Sequence, residues 1–275
     1  MKKLFYTAAI IITLLLPVNI GFASDIEDLK DISFEDLGQI VTSVSKKPEK
    51  AFKAPAAIYV IDQKDIKQSG MTSIPELLRM VPGLHVTISD TAAWAITSRG
   101  FNDGLGNKLL VLIDGRTVYT PLFSGVYWDV QDTFIEDIER IEVIRGPGAT
   151  LWGANAVNGV INIVTKRAQD TQTTVVNGLV GKEEEVAGGV RKGGKIGDNV
   201  YYRMFGKRFH RDSIRTTTGQ DGNNSWNVNR GGFRIDYDRD SNNEITFQGD
   251  VYNGTEKYSL SLPTNSDITD SLRQA

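Results

Sequence analysis

The chain has 275 residues, 40% of them apolar and 24% charged, with a formal net charge of −3. That composition excludes a wholly disordered chain, and the slightly acidic balance argues against broad non-specific nucleic-acid binding. The chain has no cysteine, which excludes disulfide scaffolds, thiolate metal sites and thiol catalysis.

Lys2 and Lys3 precede an apolar run from Leu4 to Leu16 that breaks at Pro17, and Gly21-Phe22-Ala23 places small residues just before Ser24. This is the layout of a cleaved export signal over residues 1–23. Read as an uncleaved anchor, the run is shorter than the ~18 residues a spanning helix needs. Residues 24–53 follow as an N-terminal arm. Within it Ile40-Val41-Thr42-Ser43-Val44 is a β-prone island. Its spacing suits a linker or frayed strand first, and otherwise an extended peptide that adds to a partner's sheet edge.

Ala57 to Ile61 is a short apolar strand, after which Asp62 is placed to cap a helix that stops at Gly70. Ser73 and Glu76 have capping-box spacing, and the helix from Ile74 to Val81 ends at Pro82-Gly83. Leu84, Val86 and Ile88 alternate with His85, Thr87 and Ser89, a half-buried strand. The unbroken apolar run in Lys108 to Ile113 predicts a central strand, and Asp114-Gly115 a tight turn into a return arm at Arg116 to Tyr119. Strands at Ile141-Val143 and Val160 to Thr165 complete a half in which strands and short helices mix, an α+β arrangement.

After Lys166 helical periodicity ends. Segments of alternating character follow, among them Phe233-Ile235-Tyr237 and Ile245-Phe247-Val251, separated by Gly, Asn, Asp and Ser clusters. Tyr201 to Phe209 alternates less cleanly, because Phe205 shares a face with Arg203 and Lys207. Turns are predicted near Lys182-Glu183, Gly197-Asp198 and Ser241-Asn242. The pattern is that of antiparallel up-and-down strands. A soluble sandwich would show the same alternation, whereas the export signal and the polar, Gly-rich second face favour an outer-membrane barrel.

Six stretches in order resemble the TonB-dependent outer-membrane receptors: Ala54 to Ile61; Ile74-Pro75-Glu76-Leu77-Leu78 with Val81-Pro82-Gly83-Leu84; Arg99-Gly100-Phe101; Leu109 to Gly115; Ile138 to Pro147; and Leu151 to Ile163. The resemblance implies a plug domain over 54–166. It implies that residues 167–275 begin a barrel of about 22 antiparallel strands that surrounds the plug. At roughly 20 residues per strand with its turn, the remainder holds about five strands, so the barrel is expected to be incomplete in this chain. The resemblance also implies that Ile40, Val41, Thr42, Ser43 and Val44 form the TonB box, bound by TonB through strand addition.

By the same resemblance Arg99 and Arg145 are plug arginines that pair with barrel glutamates beyond Ala275, and otherwise they are solvated loop residues. Trp94, Tyr119, Phe123 and Tyr127, in loop-like segments, would face outward and touch a flat chelate, or pack in the plug core; Trp128 is the one expected to be structural. His85 and His210 read as strand residues rather than metal ligands, for no second ligand lies at useful spacing. No catalytic carboxylate pair, Ser/His/Asp order or phosphate-binding loop is present, so neither enzyme nor cofactor is implied. The implied protein is an importer in the Gram-negative outer membrane, with TonB as partner and a metal chelate as cargo, a ferric siderophore ahead of cobalamin. The alternative is a non-transporting periplasmic plug-like module that binds a ligand or a protein.

Overall fold

A computed structural model describes residues 40–41, 49–50, 57–88, 91–98, 100, 106, 108–146, 152–153, 155–181, 184–215, 219–240 and 243–257, all within one compact unit running from Ile40. The export signal at 1–23, Thr42, Ser43, Val44, Arg99, the turns at Lys182-Glu183 and Ser241-Asn242, and the chain end at Ala275 lie outside the described residues. β1 (Ile40–Val41) pairs antiparallel with β2 (Glu49–Lys50), Val41 opposite Glu49, and Val41 is fully buried.

The mixed half is built on a five-stranded sheet. Its strands are β3 (Ile58–Asp62), β6 (Leu109–Ile113), β7 (Arg116–Thr117), β8 (Ile138–Arg145) and β9 (Gly159–Thr165), in the order β3-β8-β9-β6-β7. The Leu109–Ile113 strand is interior, as its apolar run predicts, lying between β9, to which it runs parallel, and β7. The continuous apolar character of β6 has a simple cause. Leu109 and Val111 enter the main core, while Leu110 and Leu112 enter a second cluster on the opposite face with Ile144, Ala156 and Val160. Asp114 and Gly115 both take positive φ, 47° and 78°, giving the two-residue turn that the Asp-Gly pair encodes.

α1 (Gln63–Ser69) and α2 (Ile74–Leu77) bury Ile66, Ile74 and Leu77 in the main core, as does a 3₁₀ turn at Leu78–Met80 for Leu78. Asp62 caps α1 in a reciprocal box with Asp65, and Gly70 ends it at φ +66°. The box expected at Ser73 does not form: Ser73 makes no side-chain cap, and Glu76 instead accepts from Thr72 N–H at 3.2 Å and reaches outward. β4 (Leu84–Ile88) and β5 (Trp94–Ser98) form a separate hairpin. Trp94 is therefore a buried strand residue rather than a loop residue. Trp128 is buried in the same core, as expected.

The second half is an antiparallel meander: β10 (Thr174–Leu179), β11 (Glu184–Ile196), β12 (Val200–Arg211), β13 (Trp226–Asp240) and β14 (Asn243–Glu256), paired in sequence order. One end carries the tight connection at 197–199, and the other the end of β12 at Arg211 and the start of β13 at Trp226. Residues paired across neighbouring strands share a face. Outward rows run Ile196-Val200-Tyr237-Ile245, Gly194-Tyr202-Ile235-Phe247 and Val190-Gly206-Gly231-Val251. Phe247 is 64% exposed and Val251 72%. This apolar, exposed outer face is what lipid-facing strands present.

The connector between the halves lies against β11 so closely that a Cβ on Gly193 would come within 1.8 Å of Thr171 O. Gly193→Ala is therefore expected to push the connector off the sheet and destabilise the protein by about 1–3 kcal/mol. Equilibrium unfolding measures the loss, and parent-like stability would show that the close approach does not matter.

Candidate functional site

The inward face of the meander is rich in cations. Register places Arg203 opposite Arg234 and Lys207 opposite Arg230. Like charges directly across a ladder repel, so such a face needs anions from elsewhere. The plug half supplies them. Lys207 Nζ lies 2.6 Å from Asp132 Oδ2, Arg234 Nη1 3.7 Å from Asp114 Oδ2, and Arg211 Nη2 3.0 Å from Glu76 Oε1. Arg230 pairs with Asp250 on β14 and also donates to Val130 O.

Asp137, in the 3₁₀ turn leading into β8, is the centre of this contact. Its side chain is 1% exposed, with Oδ1 3.0 Å from Arg191 Nε and Oδ2 3.5 Å from Arg203 Nε. These are ion pairs without hydrogen-bond alignment. Burial pushes the Asp137 pKa up, and Arg203, Arg191 and Lys166 pull it back. The same arginines hold the connector. Arg191 donates to Thr171 O and Thr173 O at 2.7 Å each, and Arg203 to Lys166 O and, at 2.8 Å, to Thr165 Oγ1. Asp236 accepts from Ala168 N–H at 2.6 Å, from Arg234 Nε and from Thr246 Oγ1. Burial lowers the pKa of the Lys166 amine, which donates to Gln63 Oε1 and Glu136 O.

Sequence reasoning missed this network, although its signal was present: the face that Arg203, Phe205 and Lys207 share is the inward one. It also runs opposite in sign to the expected pairing of plug arginines with barrel glutamates. Among the described residues, Arg145 Nη1 donates at 3.0 Å to Pro82 O, within the plug half, and Arg145 Nε is buried without a partner.

The four aromatic candidates do not form one group. Phe123 and Tyr127 meet edge to face at 5.0 Å in the loop between β7 and β8, with Tyr127 exposed and Leu122 beside them 80% exposed. Tyr119 lies inside that loop's base, its hydroxyl donating to Leu109 O at 2.8 Å, and burial raises its pKa to about 12. A folded-state pKa above the ordinary 10.0 means that the unfolded chain loses the proton first, so the stability Tyr119 contributes is lost as pH rises from 10.0 to about 12. Tyr119→Phe is expected to flatten the unfolding profile in that window, and an unchanged alkaline profile would refute it. Trp94 stands apart, with Arg79 5.4 Å and Arg211 5.9 Å from its ring centre.

Beside Trp94 is a cavity of about 330 Å³ between the plug half and β10–β13. Trp128, Phe134, Phe209 and Trp226 line it, together with Lys207 and Arg211.

A docked α+β domain on the polar face of a meander whose other face is apolar defines the plug and first wall strands of an outer-membrane barrel. Residues 50–160 match the family model of the TonB-dependent receptor plug domain. The chain carries a plug domain of that family. It is 33% identical over 165 residues to the vitamin B12 transporter BtuB of Vibrio cholerae, covering 58% of this chain and 26% of that protein. It is 26% identical over 219 residues to the ferric enterobactin receptor of Pseudomonas aeruginosa, covering 73% and 28%. The ferripyoverdine receptor of Pseudomonas aeruginosa superposes with a TM-score of 0.63 at 17% identity, over 78% of this chain and 27% of that one. The chain thus spans about a quarter of the length of these proteins.

Proposed function

We propose that the chain is part of an energy-coupled outer-membrane importer of a metal chelate, a ferric siderophore ahead of cobalamin. The observation that carries this reading is the polar clamp: carboxylates of a folded plug held by cations on the inner face of strands whose outer face is apolar. A periplasmic binding module has no use for that outer face. In this reading residues 1–23 direct export, 24–53 form the coupling arm, 54–166 the plug and 167–275 the first strands of the ~22-strand wall. The TonB box is Ile40 to Val44.

Arg145, with its buried Nε still to be paired, and Arg99 take barrel glutamates as partners; a buried guanidinium without one is costly. The Phe123–Tyr127 pair, with Tyr127 exposed, offers a ring face to the chelate, backed by Tyr119, while Trp94 meets cargo deeper, at the plug–wall cavity.

Cells expressing the full-length receptor as their only candidate importer are expected to accumulate ferric chelates in the presence of TonB and to lose accumulation without it. Accumulation that is indifferent to TonB would overturn the reading, and recovery of the product wholly in the soluble periplasm would favour the binding module.

A further inference from the structure

We propose that the segment between β12 and β13 is a finger kept folded by the β4–β5 hairpin of the plug half, so that this end of the wall registers whether the plug is seated. The inference uses the plug–wall geometry alone and stands apart from the choice of cargo.

Both feet of the finger stand on the hairpin. β12 ends at Arg211, whose Cζ lies 5.9 Å from the ring centre of Trp94, the first residue of β5. β13 begins at Trp226, whose ring centre is 5.7 Å from the same Cζ. Ala92, just before β5, packs with Trp226, Val228 and Phe209 in a small core shared by plug and wall. Beside it Thr91 Oγ1 donates to the carbonyl of Asn224. Thr91 is 2% exposed and Ala92 3%, so solvent hardly competes for either contact.

Beyond its feet the finger holds itself with polar bonds. Asn224 is their hub: its Oδ1 accepts Ile214 N–H at 2.8 Å, its own N–H donates to Ser213 Oγ at 3.2 Å, and its carbonyl takes the Thr91 hydroxyl. Gly222 N–H donates to Ile214 O at 3.1 Å, and Arg215 and Asp221 form an antiparallel bridge. None of the described residues at 212–215 and 219–225 is buried. Hydrogen bonds that exchange freely with water add little net stability. A segment with no buried apolar group of its own opens locally at small cost. The finger therefore takes its order from the hairpin beneath it.

The hairpin in turn follows the plug. Trp94 and Ile96 are buried in the main plug core, and Leu84, Val86 and Ile88 pack against it. Towards the finger and the wall the hairpin offers Ala92, the Thr91 hydroxyl and the ring of Trp94. The larger apolar contact is with the plug. A plug that shifts takes the hairpin with it, and the feet of the finger lose their footing. The link is reciprocal: whatever closes the finger strengthens the hold on the hairpin by the same free energy. Asn224 is the positioning residue of this link.

Trypsin tests this, because Arg215 is an exposed cleavage site inside the finger. In the detergent-solubilised full-length receptor, Ala92→Asp is expected to speed cleavage after Arg215 about tenfold or more, read from fragment masses. Thr91→Val, which removes the hydroxyl and keeps the branched shape, is expected to speed it about threefold. Cleavage after Arg140, on β8 inside the plug sheet, is the control and is expected to stay at the parent rate. Parent-rate cleavage after Arg215 in Ala92→Asp would overturn the proposal. Should Ala92→Asp also open Arg140 to trypsin, the same readout in Thr91→Val decides. A parent receptor cut after Arg215 as fast as a free peptide of residues 212–225 would overturn it too, because the finger would then have no fold to lose.

Discussion

Asp137→Ala is expected to destabilise the plug–wall contact by about 3–5 kcal/mol, the cost of stranding buried charges. The substitution removes one carboxylate but leaves two guanidinium groups, Arg191 and Arg203, each nearly inaccessible to water. Neither arginine can swing to solvent without releasing the connector carbonyls it holds at Thr171, Thr173 and Lys166. Asp137→Asn is expected to lose most of the same stabilisation, because the amide keeps the shape and drops the charge. Combining Asp137→Ala with Arg203→Met is expected to recover part of the loss, as a charge-free pair avoids the desolvation penalty. Urea unfolding of the detergent-solubilised receptor, with protease sensitivity of the plug as a second measure, checks this. Parent-like unfolding of Asp137→Ala would show that the cluster contributes nothing.

Val41→Pro is expected to reduce chelate uptake to the level of a TonB-deficient strain while leaving surface binding intact. Strand addition uses main-chain N–H and C=O groups of an extended segment, and proline removes one donor and fixes φ. Val41 already lies in such a conformation, paired with Glu49 across a two-residue ladder. The substitution removes that capacity to pair, and because the Val41 side chain is buried, retained surface binding is the control that the plug stays folded. Normal transport by Val41→Pro would move the TonB contact to another segment.

The plug was legible because its signals are local. The Asp62 cap, the Gly70 stop, the Asp114-Gly115 turn and the unbroken apolar run of β6 each follow from neighbours in sequence. The meander was legible from period-two alternation, and the room expected for about five strands is filled by β10–β14. Failures lie where distant partners decide. Ser73 and Glu76 have the spacing of a capping box, yet Glu76 is drawn instead to Thr72 and to Arg211, 135 positions away. Trp94 reads as a loop residue until β4 pairs with its strand. The inward cations of β12 read as blurred alternation, because a strand facing a folded domain need not be apolar on either face. Only docking shows that Arg203 and Lys207 answer Asp137 and Asp132.

The outer surface of the meander also works as a depth gauge. On β12 to β14 its apolar rows give way to Arg208-Asn229-Asn253, and beyond that to His210-Asn227-Thr255, while β11 still presents Val186 there. On a lipid-facing sheet this change marks where hydrocarbon yields to head groups. Arg203 and Arg191 lie on the hydrocarbon side of that line and Arg211 beyond it. Asp137 itself, 1% exposed, is shielded from salt and water by the side chains packed around it. Added electrolyte should leave the lower clamp almost untouched while weakening the Glu76–Arg211 contact at the rim.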